Sequence, residues 1–187
     1  MTASTSTQIP GYVVGTWDID PVHSDVSFTV RHMMVSKVRG RLGAFSGEIV
    51  TAPRFIDSTV TATVDASSVD TGNAQRDGHI RTADFFAVET YPTWEFRSTA
   101  IRTDGEDHVL DGELTIKGVT RPVTLSLVAE GFGPDAFGGT RAGFSASTTI
   151  NRADFGVDIA MPLDGGGVGV SEKVQVNLEI EAVLRQS

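Results

Sequence analysis

The chain has 187 residues, 40% of them apolar and 21% charged, with no cysteine. That size and balance fit one soluble globular domain able to bury a core or line a cavity, and the missing cysteine excludes disulfides, thiolate nucleophiles, Cys-ligated zinc and iron–sulfur clusters. A net charge of −9 argues against nucleic acid and against anionic membrane surfaces, since both draw affinity from Lys and Arg.

The opening Met1-Thr2-Ala3-Ser4-Thr5-Ser6-Thr7-Gln8 lacks the cationic and apolar regions of a signal peptide. It predicts a disordered tail over residues 1–11, ahead of one domain over 12–187, and a cytoplasmic location. No stretch approaches the roughly 20 apolar residues of a transmembrane helix.

From there the chain alternates with period two, the signature of strands. Val26, Phe28, Val30 and His32 share one face, with Ser27, Thr29 and Arg31 opposite; Val60, Ala62 and Val64 repeat the pattern. A stretch near residues 72–87 lacks alternation and predicts a short helical segment, limited by Gly78. Trp94 and Phe96 then alternate with Glu95 and Arg97, and Leu110, Leu114 and Ile116 with Asp111, Glu113 and Thr115. Val123, Leu125, Leu127 and Ala129 follow, then Ala142, Phe144, Ala146 and Ile150, and last Val174 through Leu184. Turn signals at Asp104-Gly105, Lys117-Gly118, Gly133-Pro134-Asp135 and Gly165-Gly166-Gly167 separate these runs; the last is a flexible connection rather than a phosphate loop.

About eight antiparallel strands with one apolar face close most economically into an all-β barrel, which removes exposed edges; a two-sheet sandwich is the competing architecture. The interior has two readings. Small inward residues (Ala62, Gly112, Ala129, Ala142, Ala146) interleaved with Phe28, Phe96 and Phe144 fit an open aromatic tunnel, and equally a tapered, filled core.

Ordered segments carry a resemblance. Thr16-Trp17-Asp18-Ile19-Asp20-Pro21-Val22-His23-Ser24, followed by Val26-Ser27-Phe28-Thr29-Val30-Arg31-His32, is similar to the start of YceI-like proteins. Val38-Arg39-Gly40 with Phe45-Ser46-Gly47 resembles the next strand, Leu42 standing where the family has an aromatic. Ser67–Thr71, Arg76–Ile80, Asp84-Phe85-Phe86, Tyr91-Pro92, the hairpin Gly112–Thr120 and Ile150–Gly156 continue the likeness from about Trp17 to Val183. The resemblance implies a lipocalin-like extended β-barrel whose tunnel takes up a polyisoprenoid lipid, of polyprenyl diphosphate or isoprenoid quinone type. It also implies a homodimer, and many such proteins are exported.

On this reading Phe28, Val30, Met33, Phe45, Phe85, Phe86, Trp94, Phe96 and Phe144 line the lipid chain, and His32, Arg76, His79 and Arg81 meet its polar head. Arg and His are suitable donors to a diphosphate or quinone oxygen. Each polar residue has a structural alternative: His32 as a bonded core histidine, and the Arg76–Arg81 cluster as cations paired by Asp77 and Asp84. Arg152 and Asp154, two apart, predict an ion pair closing a strand at Gly156.

Catalytic signals are thin. Neither a G-x-S-x-G elbow nor an H-E-x-x-H helix occurs, the four histidines are scattered, and a carboxylate–imidazole pair such as Asp77 with His79 has nothing to position a substrate beside it for acid–base work. The expectation is a lipid carrier, store or sensor that is not an enzyme, with no metal and no cofactor beyond the lipid. The alternatives are a stress-related structural or interaction module with a filled core, and an enzyme on a small hydrophobic substrate.

Overall fold

The computed structural model describes residues 9–33, 35–158 and 170–186. The expected flexible tail over Met1–Gln8 and the Gly165–Gly167 connection lie outside the described residues. Ile9, Pro10 and Gly11, read as the end of the tail, belong to a turn in which Tyr12 N donates to the Ile9 carbonyl at 3.2 Å.

Among the described residues the alternating stretches form eleven strands, and the non-alternating stretch one α-helix. They are β1 (Gly15–Ile19), β2 (Asp25–His32), β3 (Ser36–Leu42), β4 (Phe45–Thr51), β5 (Thr59–Asp65), β6 (Val69–Asp70), α1 (Ala74–Ile80), β7 (Thr93–Asp104), β8 (Asp107–Ile116), β9 (Val119–Pro134), β10 (Thr140–Asn151) and β11 (Lys173–Leu184). Strands β1-β4-β5-β7-β8-β9-β10-β11 neighbour one another in that order, and β1 pairs back onto β11, closing an eight-stranded antiparallel barrel.

The three further strands lengthen this barrel rather than widen it. β1 covers Ala182–Leu184 of β11, and β2 continues along the same edge over Gln175–Glu179. β3 prolongs β4 and pairs with β2, while β6 prolongs β5 and pairs with β3 at Arg41 and Leu42. The chain therefore makes eight long courses, three of them interrupted. Hairpins join neighbours, and Lys117 and Gly118, both at positive φ, form the two-residue turn between β8 and β9.

The interruption between β1 and β2 is clamped from outside. Arg141 Nη1 donates to Asp20 Oδ2 at 2.8 Å and to Glu181 Oε2 at 3.0 Å, and His23 Nδ1 lies 2.7 Å from Asp20 Oδ2. These hydrogen bonds, Arg141's first, hold the Asp20 carboxyl well below its ordinary value.

One end of the barrel is filled. Trp17 is fully buried, and its indole N–H donates to Thr51 Oγ1 at 2.9 Å, so the ring enters the core with its polar atom satisfied. Around it pack Ile19, Ile49, Ile101, Leu110, Leu125, Leu127, Ala142 and Ala182. Tyr12, Phe55, Phe132 and Phe144 add edge-to-face and stacked ring contacts, and the Tyr12 hydroxyl donates to the Ala52 carbonyl.

The other end is capped by non-strand segments. α1 lies where the predicted helical segment was expected but is shorter, seven residues, its first turn capped by the Asn73 side chain accepting from Arg76 N. Turns over residues 81–90 and a 3-10 turn at Arg152–Phe155 complete the cap. There Ile116, Phe155 and Val157 form a second small core against Phe85, Trp94 and Ile150.

Candidate functional site: an apolar cavity with a polar rim

Between the filled end and the cap runs a cavity of about 430 Å³. Its wall follows from strand parity: alternate residues of β2, β5, β7, β10 and β11 point inward. Aromatic rings are fitted by glycines opposite them. A Cβ on Gly40 would come within 2.2 Å of the Phe28 ring, and one on Gly112 within 2.4 Å of Phe96. Both rings thus lie back against bare backbone instead of projecting across the lumen. Ala62 and Ala146 leave further space on the wall. The upper barrel is an open cavity, and the filled-core pattern is confined to the Trp17 end.

Of the residues expected to line a lipid chain, Phe28, Val30, Phe45, Phe85, Phe86, Trp94, Phe96 and Phe144 all face this one cavity. Met33 does not. It follows the inward-facing His32, turns through a positive φ of 54° at the hairpin tip and is 42% exposed, so strand parity carries its side chain away from the lumen. Phe55, Phe155 and Val157 also line the cavity and were not anticipated. Phe55 and Phe155 sit on 3-10 turns and Val157 on irregular chain, where no period-two signal marks the inward side.

At the capped end His32, Arg76 and His79 reach the cavity. The His32 ring makes no hydrogen bond among the described residues, so it is not the bonded core histidine of the alternative reading. Arg76 donates from Nε to Thr71 Oγ1 at 2.7 Å and from Nη2 to the Thr71 carbonyl at 2.8 Å. His79 Nε2 lies 2.9 Å from Asp84 Oδ2, with its ring edge-on to Phe85 and its side chain half exposed. The cavity therefore reaches the surface here.

Arg81 is a correction: its guanidinium donates to the carbonyls of Ser67 and Val69 at 2.8 and 3.1 Å and ties α1 to the β5–β6 connection, away from the cavity. The expected pairing of the cluster holds for Asp84 with His79, whereas the buried Asp77 accepts from Thr71 N and Oγ1 instead of from a cation. That also separates Asp77 from His79 as an acid–base pair.

The pair expected at Arg152 and Asp154 is replaced by a 3-10 turn. Arg152 donates to the carbonyls of Val157, Val170 and Ser171, stitching the cap to the start of β11, and Gly156 closes the turn at a positive φ of 74°. Among the described residues Trp94 Nε1 is the one buried side-chain polar atom without a hydrogen-bond partner, its ring edge-on to Phe86.

A closed, lengthened antiparallel barrel around an apolar cavity defines a lipocalin-like class of fold. Comparison with known proteins narrows this. The YceI-like domain matches residues 17–182, and UPF0312 proteins of Vibrio cholerae and Shewanella baltica are 35% and 37% identical, each over 170 residues, covering 90% of this chain and 86% of the relative. The chain belongs to the YceI-like family. Among solved structures, BcnA of Burkholderia cenocepacia superposes with a TM-score of 0.76 at 24% identity, covering 87% of this chain and 98% of its own. A polyisoprenoid-binding domain from Saccharophagus degradans superposes with a TM-score of 0.70 at 19% identity, covering 92% of this chain and all of its own. Among the described residues no helix is long and apolar enough to cross a membrane.

Proposed function

We propose that the barrel binds a long-chain polyisoprenoid, of polyprenyl diphosphate or isoprenoid quinone type, with its hydrocarbon in the cavity and its polar end at His32, Arg76 and His79. The observation that carries this reading is a continuous apolar cavity ending at a polar, partly exposed rim. Its volume of about 430 Å³ falls in the range of small-molecule sites. A hydrocarbon entering it gains roughly 25 cal/mol for each Å² removed from water, so binding needs few polar contacts. The shared fold of the Saccharophagus degradans polyisoprenoid-binding domain supports the same cargo.

Arg76 keeps guanidinium N–H groups beyond the two engaged by Thr71, and these serve a diphosphate or quinone oxygen. The protein then acts as carrier, store or sensor and leaves its cargo chemically unchanged. The test is native mass spectrometry of protein purified from its own host, with organic extraction of the same sample. A bound polyprenyl species is expected. No extractable lipid, together with failure of the stripped protein to take up a fluorescent polyprenyl probe, would overturn the reading.

A further inference from the structure

The β2–β3 hairpin carries charge that nothing else in the fold uses. Its inward residues, Phe28, Val30, His32 and Val38, line the cavity. Its outward residues include Arg31, Lys37, Arg39 and Arg41, all exposed, on a chain whose net charge is −9. Arg31 and Lys37 stand directly opposite one another in the ladder, an arrangement that like charges disfavour. Among the described residues the side chains of Arg31, Lys37 and Arg39 have no acidic partner; only Arg41 is paired, with Asp25 at 3.0 Å. The acids of the same face lie at the far end of the hairpin from its tip: Asp25 stands opposite Glu179, and Asp70 opposite Arg41.

At the tip the polarity reverses. Met33 is 42% exposed and Val35 is 84% exposed, two apolar side chains beyond a basic collar. Apolar groups ahead of cations are the combination that enters the headgroup region of an anionic bilayer: the tip is buried in it, and the collar meets the phosphates.

We propose that this hairpin docks the protein on an anionic lipid bilayer, with the rim of the cavity facing the membrane. Docking needs no cargo, so this goes beyond the isoprenoid-binding reading and can fail or hold without it. The negative charge elsewhere orients the approach, because it repels every other face from the same surface. The tip and collar belong to the hairpin that forms one wall of the cavity, so a docked protein holds that wall against the membrane.

The experiment is flotation of stripped and cargo-loaded protein with vesicles of phosphatidylcholine alone or with one-third phosphatidylglycerol, at low and high salt. Cargo content is measured separately by extraction. Binding to the mixed vesicles alone, weakened by salt, is expected. Each cation near the surface contributes about fivefold in partitioning, so R31E/K37E/R39E should lose well over tenfold. M33S/V35S should lose less and leave the salt dependence unchanged, and it guards against misfolding of the charge-reversed protein. R54E, in the turn between β4 and β5, should bind as the parent does. Equal binding to both vesicle types, or binding insensitive to charge reversal in a protein with native circular dichroism, would overturn the proposal. Retention on an immobilised polyanion with no vesicle binding would overturn it too, by assigning the face to a soluble acidic partner.

Discussion

The two ends of the barrel are built from the same kind of strand and solve opposite problems. At the Trp17 end, inward side chains pack against one another, and Ala142 lies between Phe132 and Ala182 on the neighbouring strands. Trp17, Ala142 and Ala182 are sealed in a core whose Ile19, Ile49, Leu125 and Leu127 form the floor of the cavity. At the capped end, glycines let Phe28 and Phe96 lie back against the wall, so the aromatic rings enlarge the space they might have filled. The difference shows that the positions of small residues, more than their number, decide whether a barrel of this size is a core or a container.

The largest expected effect tests that contrast directly. Trp17→Ala removes a fully buried ring and its hydrogen bond to Thr51, and should cost about 3–5 kcal/mol of unfolding free energy in urea titration. Phe28→Ala removes a ring that already borders empty space, so it should cost less than half as much while enlarging the cavity. Equal costs would mean that the two ends do not differ in packing.

Alanine substitutions sharpen the same comparison from the other side. Ala142, 1% exposed in the filled end, and Ala146, on the cavity wall, lie on one strand and one face. Ala142→Trp should prevent stable folding. Ala146→Trp should fold, with its ring in the lumen, and abolish uptake of a polyprenyl probe. A smaller effect is expected for Gly40→Ala, whose methyl group forces the Phe28 ring toward the lumen. It should cost about 1–3 kcal/mol and reduce probe uptake without abolishing it.

The pair Ala142 and Ala146 also shows how far sequence could be read. Period-two alternation is a geometric property of a strand, so the eight courses and the inward faces were legible, and eight of the nine expected wall residues line the cavity. Whether an inward alanine is buried or borders a lumen depends on its level along the barrel and on what stands across from it. Those partners lie tens of residues away, Leu127 and Leu178 for Ala146, and one sequence does not specify them. Met33 was misassigned because a hairpin tip breaks parity at the residue after the last strand position. Phe55 and Phe155 were missed because 3-10 turns carry no alternation. The polar rim was half legible: donors clustered at Arg76–Arg81, but only the fold shows Arg81 spent on the backbone carbonyls of Ser67 and Val69.

The smallest expected effect concerns pH and belongs to the filled end. His108 is buried edge-on to Phe55, with ring centroids 4.8 Å apart, and burial pushes its pKa below the ordinary 6.5, Asp107 opposing only in part. The unfolded chain takes up a proton at this position near pH 6.5, while the folded protein resists until the pH is lower. Stability therefore falls as pH drops from 6.5 toward the folded pKa and levels off below it. His108→Leu removes that dependence. Comparing urea midpoints of the parent and the variant at pH 7.5 and at pH 5.5 isolates this residue, because the other three histidines are present in both proteins. The parent should lose more stability on acidification than the variant does. Identical losses would mean that the imidazole is solvated in the folded state, and that the aromatic floor beneath the cavity admits water.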